Sequence, residues 1–132
     1  MILIDSNVLL DLYDVRSEWH QWAVETLAAA ADTAPLIIDP IIYAEVSIKF
    51  KTPAEFDEAF PSEDFLRKDL PFAAAFIAGK AHMEYRRRGG VRAATLPDFF
   101  IGAHALVAGY RILTRDPRRF RRYFPTVEVI AP

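Results

Sequence analysis

The sequence predicts an α/β fold, a three-layer α/β/α arrangement around a central parallel sheet of four to five short strands. Short apolar runs rich in β-branched residues alternate with longer segments of helical periodicity, and turn-forming residues separate them. Continuous apolar strands of this kind are typical of a parallel sheet that is covered by helices on both faces. With 132 residues, the chain is long enough for one domain, residues 1–132, with its own core.

The predicted elements follow one another without a repeat or a linker. Apolar runs predict strands at residues 2–4, 36–38, 111–114 and 127–130. Helical periodicity predicts helices at residues 8–12, 18–31, 41–50, 53–60, 72–88, 96–108 and 117–123. Residues 61–69 read as a connection. Pro40 suits the first turn of its helix, and Gly89-Gly90 and Gly109 are typical helix ends.

Composition excludes several classes of protein. The chain has no cysteine, which rules out disulfides and thiolate metal sites. The first four residues are apolar and lead directly to Asp5, unlike the basic and apolar segments of a signal peptide. No uncharged stretch approaches the ~20 residues that cross a bilayer. We therefore expect a cytoplasmic protein with no membrane partner.

The small net charge of −2 conceals a marked asymmetry along the chain. The first 79 residues carry 5 basic and 14 acidic side chains, whereas residues 80–132 carry 11 basic and 4 acidic ones. Arginine blocks at 86–88 and 118–122 could bind phosphates, because guanidinium groups match phosphate oxygens. They could equally form a solvated face or complement helix C-termini. The sequence leaves both readings open.

Four acidic residues are candidates for a shared site. Asp5 follows the first strand, Asp98 lies in a first helical turn, and Asp116 precedes Pro117. Each of these could simply cap a helix or complement its dipole. Glu45 lies on a helix that is apolar almost all round, so its carboxylate either faces water at an edge or is buried with a compensating partner.

The topology makes the four acids more informative together. In a right-handed parallel α/β sheet, the C-ends of strands and the N-ends of helices share one edge. Asp5, Asp98 and Asp116 belong to this edge, and Glu45 lies about one and a half helical turns, ~7 Å, from it. Carboxylates in one pocket repel each other unless a cation compensates them. Oxygen ligands favour Mg²⁺, with Mn²⁺ as a substitute, over Zn²⁺, and such sites commonly serve phosphoryl chemistry.

Four short motifs occur in order along nearly the whole chain. They are Ile4-Asp5-Ser6-Asn7, Tyr43-Ala44-Glu45, Leu96-Pro97-Asp98 and Leu113-Thr114-Arg115-Asp116. In these motifs and in length the sequence resembles a PIN domain, and in particular a VapC-type toxin of a bacterial toxin–antitoxin pair. Phe99-Phe100 departs from the family pattern, where smaller residues usually follow the third acid. This departure leaves the four acids intact but changes the mouth of the site.

The resemblance implies a PIN-like, Mg²⁺-dependent endoribonuclease that hydrolyses RNA phosphodiesters with an activated water. Asp5, Glu45, Asp98 and Asp116 would be both the catalytic and the metal-binding residues. Ser6, Asn7 and Thr114 would support these ligands from a second layer. Arg115, Arg118 and Arg119 are candidate RNA-binding residues. A cognate antitoxin and a homodimer are the partners that the resemblance implies, together with the RNA substrate.

Other readings are weaker or remain open. A haloacid-dehalogenase-type phosphatase needs a second Asp where Asn7 stands, and a response-regulator receiver needs an acidic pair where Asp5-Ser6 stands. The three histidines are widely spaced and fit packing or surface roles better than catalysis. The open alternative is a catalytically silent PIN-like module that binds RNA or protein. Loss of Mg²⁺-dependent RNA cleavage on mutating Asp98 distinguishes the two.

Overall fold

A sheet of five short parallel strands lies at the centre of the computed structural model, which describes residues 1–90 and 96–132. The strands are β1 (Ile2–Ile4), β2 (Leu36–Ile38), β3 (Leu66–Arg67), β4 (Arg111–Leu113) and β5 (Val129–Ile130). Their order across the sheet is β3-β2-β1-β4-β5, and every neighbouring pair is parallel. The predicted α/β class, parallel sheet and strand number are confirmed.

Helices connect the strands, and most of them match the predicted segments. They are α1 (Ser6–Tyr13), α2 (His20–Ala31), α3 (Pro40–Ser47), α4 (Pro53–Ala59), α5 (Phe72–Arg87), α6 (Leu96–Ala108) and α7 (Arg118–Tyr123). Helix α3 ends three residues before the predicted boundary, and the Ser47 hydroxyl donates to the Ala44 carbonyl in its last turn at 2.7 Å.

One element was assigned wrongly. The predicted connection at residues 61–69 contains β3, which pairs with β2 through Leu66 and Arg67. This strand has only two residues, one of them charged, and both are half-buried. It therefore lacks the apolar run by which the other strands are recognised, and its pairing with β2 becomes visible only in three dimensions.

The burial of the strands in the core accounts for their continuous apolar sequences. All three residues of β1 and all three of β2 are buried, because helices cover both faces of the sheet. Large side chains complete this core: Phe56, Phe60, Phe99, Phe120 and Phe124. Over the residues that the structure describes, no helix is both long and apolar enough to span a membrane.

Candidate active site

The strand order brings the ends of β1 and β4 together. Ile4 and Leu113 are register partners in the parallel pair, so Asp5 and Thr114 follow at the same edge of the sheet. The Thr114 hydroxyl donates to Asp5 Oδ2 at 2.7 Å, and the Ser6 backbone N–H donates to Asp5 Oδ1 at 2.8 Å. Both side chains are buried. Asp5 is therefore held in one orientation, and Thr114 lies where the resemblance predicts a supporting residue.

Asn7 ties the two strand ends more tightly. Its Nδ2 donates to the Thr114 hydroxyl at 3.4 Å, and its Oδ1 accepts from the Arg115 backbone N–H at 3.2 Å. The Thr114 hydroxyl also accepts from the Asp116 backbone N–H at 3.1 Å. The loop that carries Asp116 is thus anchored to the segment that carries Asp5.

Burial and neighbouring acids perturb Asp5 strongly. The pKa of Asp5 is raised from 3.8 to about 7, mainly by desolvation and also by the negative charges of Asp98 and Glu45, although the hydrogen bonds from Thr114 and Ser6 oppose this shift. Asp98 and Glu45 therefore lie close enough to Asp5 for a direct electrostatic effect. Three acids from widely separated parts of the sequence meet at this edge.

Glu45 reaches the same region from the second turn of α3. Burial raises the pKa of Glu45, the Ser6 hydroxyl lowers it, and the charges of Asp98 and Asp39 raise it. Its Oε1 is buried and has no hydrogen-bond partner among the described residues. An unsatisfied carboxylate oxygen is unfavourable inside a protein unless a ligand compensates it.

Asp98 lies in the first turn of α6 and is held by an arginine. Burial raises the pKa of Asp98, the Arg119 guanidinium beside it lowers it, and the charge of Asp116 raises it. Arg119 Nη1 donates to Asp98 Oδ2, and its guanidinium carbon lies 5.4 Å from the centre of the Tyr85 ring. Asp116 is exposed and pairs with Arg118 at 3.4 Å. Asp116 therefore lies at the rim of the cluster.

The acidic cluster has the chemistry of a Mg²⁺ or Mn²⁺ site. All candidate ligands are carboxylate oxygens, which hard divalent cations prefer, and Glu45 offers a buried oxygen without a partner. As the side chains stand, however, no three Asp, Glu or His residues in the described part of the chain are grouped closely enough to hold an ion. The Arg119 guanidinium is bonded to the Asp98 carboxylate. An ion would therefore have to compete with this guanidinium and bring the carboxylates closer together.

The three candidate RNA-binding arginines have different surroundings. Arg115 pairs with the buried Asp11 at 2.7 Å, and its guanidinium carbon lies 5.6 Å from the centre of a Trp19 ring. Arg118 and Arg119, by contrast, line an open cleft between the end of α5 and α7. A role of Arg115 in RNA binding stays a prediction, and in this structure its guanidinium is engaged within the protein.

The structure also adds two residues that the sequence analysis did not single out, Tyr85 and Tyr123. They line the cleft beside the acids together with Arg88 and Arg122, which belong to the arginine blocks noted in the sequence. Aromatic and basic residues at the ends of two neighbouring helices were the available signal, but their common surface depends on how α5 and α7 pack. The structure buries one of the three histidines, His104, against the buried Asp39, with Nδ1 2.9 Å from Oδ2.

The fold and the site together define an α/β domain in which several acidic side chains lie close together at the carboxyl edge of the parallel sheet. Comparison with known families identifies it: the model of the PIN domain matches residues 2–124. The chain belongs to the PIN domain family. No curated protein sequence matches it.

Solved structures with the same fold come from bacterial complexes. VapBC2 from Rickettsia felis, bound to a DNA fragment from its promoter, superposes with a TM-score of 0.72 at 18% identity, over 100% of this chain and 99% of that chain. FitAcB from Neisseria gonorrhoeae gives a TM-score of 0.73 at 20% identity, over 98% and 96%. VapBC-1 from nontypeable Haemophilus influenzae gives 0.73 at 17% identity, over 99% and 98%. At these identities the likeness shows the fold.

Proposed function

We propose that this protein is a metal-dependent endoribonuclease, the toxin of a type II toxin–antitoxin pair. One observation carries the catalytic part of the proposal. The charges of Asp98 and Glu45 raise the pKa of Asp5, and the charge of Asp98 also raises that of Glu45, so the acids that follow β1 and lie on α3 and α6 are close together. A buried oxygen of Glu45 has no partner among the described residues. Such a cluster is unfavourable by itself and becomes favourable with a divalent cation.

The four acids would hold Mg²⁺, or Mn²⁺ as its substitute. A bound ion of this kind offsets charge on a phosphate and increases the acidity of water. Ser6 and Thr114 would orient Asp5 for ligation, because Asp5 Oδ1 accepts from the Ser6 backbone N–H and, at 3.5 Å, from the Ser6 hydroxyl, while Oδ2 accepts from Thr114 and retains a lone pair. Glu45 extends from the second turn of α3, and Asp116 contributes from the rim.

Arg119 supplies the cation that Asp98 has in this structure. Because the same guanidinium lies in the cleft beside the acids, it is also placed to bind an RNA phosphate. When metal and RNA bind together, Arg119 would exchange its carboxylate partner for a phosphate. It would thereby neutralise the substrate while freeing Asp98.

The decisive test is cleavage of labelled RNA by Asp5→Asn and Asp98→Asn in Mg²⁺. We expect a loss of at least ~10³-fold, on the scale of removing an essential catalytic group, with the circular dichroism spectrum unchanged. Asp32→Asn is the matched control, since Asp32 is an exposed acid at the opposite end of the sheet. Full activity of either site variant, or a wild type that binds RNA without cutting it in Mg²⁺ or Mn²⁺, would refute the proposal. The second outcome would favour the silent-module alternative.

The partner part of the proposal rests on the solved structures with this fold, which include VapBC proteins and a toxin–antitoxin complex from Klebsiella pneumoniae. Exposed aromatic side chains on α5 offer apolar surface to a partner: Phe72 is 94% and Phe76 is 69% exposed. We propose a cognate antitoxin and a homodimer as partners. Co-expression with the protein of an adjacent short gene, followed by light scattering, should give a stable complex larger than the protein alone. A chain that stays monomeric and unbound would contradict this assignment.

A further inference from the structure

A cleft of about 470 Å³ opens between the C-terminal end of α5 and α7. Its volume is in the range of pockets that enclose a small ligand, ~300–1,000 Å³. Two tyrosines and four arginines line it: Tyr85, Arg88, Arg118, Arg119, Arg122 and Tyr123. Among the residues that the structure describes, Asp116 is the one acid in its wall, so this part of the cleft carries a clear positive excess. Arg118 and Arg119 pair with Asp116 and Asp98 of the proposed active site, but these acids do not account for the two tyrosines, Arg88 and Arg122.

The floor of the cleft is a cluster of packed aromatic rings. The ring centres of Tyr85 and Tyr123 are 6.1 Å apart, and they lie 5.6 Å and 5.2 Å from that of Phe99. Phe99 is fully buried and directly follows Asp98. The Phe99 that departs from the family pattern therefore supports the tyrosines beside the acid cluster. A Cβ at Gly90 would overlap the Tyr85 ring, so the absence of a side chain at Gly90 makes room for this ring.

The arginines cover this floor with their planar groups. The guanidinium carbon of Arg119 lies 5.4 Å from the centre of Tyr85, and those of Arg88 and Arg122 lie 6.0 and 5.8 Å from the centre of Tyr123. An arginine held over an aromatic ring keeps its own face available for stacking. Arg88 Nε donates to Glu84 Oε1 at 2.8 Å and Arg119 Nη1 donates to Asp98, and the remaining N–H groups of both guanidinium groups can donate to a phosphate. The cleft therefore combines phosphate donors with stacking surfaces.

The cleft is continuous with the acidic cluster. Arg119 lines the cleft and bonds to Asp98, and Asp116 lines the cleft while its backbone N–H is held by Thr114, the partner of Asp5. A ligand in the cleft would thus lie next to the acidic cluster and leave the carboxylate oxygens available to a metal ion.

We infer that this cleft binds one nucleotide of single-stranded RNA next to the phosphate that is cut, with its base against the Arg–Tyr pairs and its phosphate at Arg88 and Arg122. Stacking on aromatic and guanidinium planes requires a base that is splayed out, as in loops and single strands; a double helix keeps its bases stacked inside. The inference rests on the proposed ribonuclease function and deepens it by assigning the residues that bind the base and the phosphate beside the cut. An acidic peptide is the other ligand that a basic cleft could take, but it would leave the aromatic floor without a role.

The test measures binding, without cleavage, by fluorescence anisotropy of a short labelled single-stranded RNA in EDTA. The variant Arg88→Gln with Arg122→Gln removes two cleft arginines. Arg87→Gln with Arg121→Gln is the matched control, because it makes the same charge change on the same two helices outside the cleft. We expect the cleft variant to bind at least about ten-fold more weakly than the control, and the slope of its salt dependence to fall by about 0.7, the value for one phosphate contact on a single strand.

A second variant tests stacking separately from charge. Tyr85→Leu keeps an apolar side chain against Phe99 and should still weaken single-strand binding by about five-fold or more, because base–aromatic stacking contributes ~1–3 kcal/mol. A duplex of the same sequence should bind wild type more weakly than the single strand. Equal binding by the cleft variant and its control, or equal binding of duplex and single strand, would overturn the inference. So would loss of antitoxin binding with RNA binding intact.

The outcomes also separate this inference from the proposed function. If RNA binding in EDTA depends on the cleft but no RNA is cleaved in Mg²⁺, the cleft is confirmed as a binding site and the proposed nuclease activity is refuted. Normal cleavage and binding by the Arg88 and Arg122 variant would retain the nuclease and remove the inference.

Discussion

Asp5 and Asp39 have almost the same local setting but opposite surroundings. Each follows a buried strand, each is the N-cap of the next helix, and they are 4% and 2% exposed. Asp39 Oδ1 accepts from the backbone N–H groups of Ile41 and Ile42, and its Oδ2 contacts His104. Asp5 has one backbone donor and Thr114, and it faces two further acids.

The difference separates a structural carboxylate from a functional one. Asp39 is satisfied within the protein and joins α3, which carries Glu45, to α6, which carries Asp98. Asp5 lies among acids whose mutual repulsion the described residues do not compensate in full. Burial and a position after a strand are common to both acids and therefore do not identify the functional one. The distinguishing feature is the negative charge of neighbouring acids that no cation or hydrogen-bond donor in the part of the chain that the structure describes compensates in full.

The largest effect should follow from breaking the structural pair. His104→Ala leaves the Asp39 carboxylate buried with backbone donors alone, and we expect the free energy of unfolding to fall by about 3–5 kcal/mol in urea denaturation. His82→Ala is the control, since the half-buried His82 packs against Phe99 and has no carboxylate partner in the described part of the chain. A loss no greater than that of the control would contradict the structural role of the pair.

The Asp5 side of the comparison should appear as a pH effect on the metal-free protein. The pKa of Asp5 is about 7 in the fold and 3.8 in the unfolded chain, so the folded state holds this proton more tightly. Its stabilising contribution is complete below pH ~4 and is lost as the pH rises towards 7, by up to about 4 kcal/mol. In EDTA at pH 8, Asp5→Asn should therefore be more stable than wild type.

The measurement is urea denaturation of both proteins at pH 5 and pH 8. The advantage of Asp5→Asn should shrink at pH 5, and Mg²⁺ at pH 8 should reduce it by stabilising wild type. If Asp5→Asn is the less stable protein at pH 8 in EDTA, the carboxylate is compensated in a way that this structure does not contain.

The smallest effect concerns the provisional partner of Asp98. Arg119→Gln removes the guanidinium with which a cation competes, and a half-exposed pair of this kind contributes ~1 kcal/mol. We expect Mn²⁺, followed by electron paramagnetic resonance without RNA, to bind about five-fold more tightly. Arg121→Gln makes the same charge change without touching an acid in the described chain and should leave the affinity nearly unchanged. Weaker Mn²⁺ binding by Arg119→Gln would reverse the role given to Arg119.

Much of the fold was predictable because it depends on local patterns. The continuous apolar runs at β1 and β2 predicted strands that are buried on both faces, and Pro40 and Gly109 indicated where helices begin and end. The strand β3 was missed because two half-buried residues carry no such pattern. The positions of the acids at one edge followed from topology, but the cleft of Tyr85 and Tyr123 did not, since it needs the packing of α5 against α6 and α7.

The sequence by itself determined the class of fold, the family motifs and which acids stand at strand ends, since these depend on residues close along the chain. Only the tertiary structure decided which acid is satisfied. Asp39 meets His104 across 65 positions and Asp5 meets Thr114 across 109, and no local pattern encodes either contact. Hydrogen bonds and charges act through space over a few ångströms, so the distinction between a structural and a functional carboxylate exists only once the chain is folded.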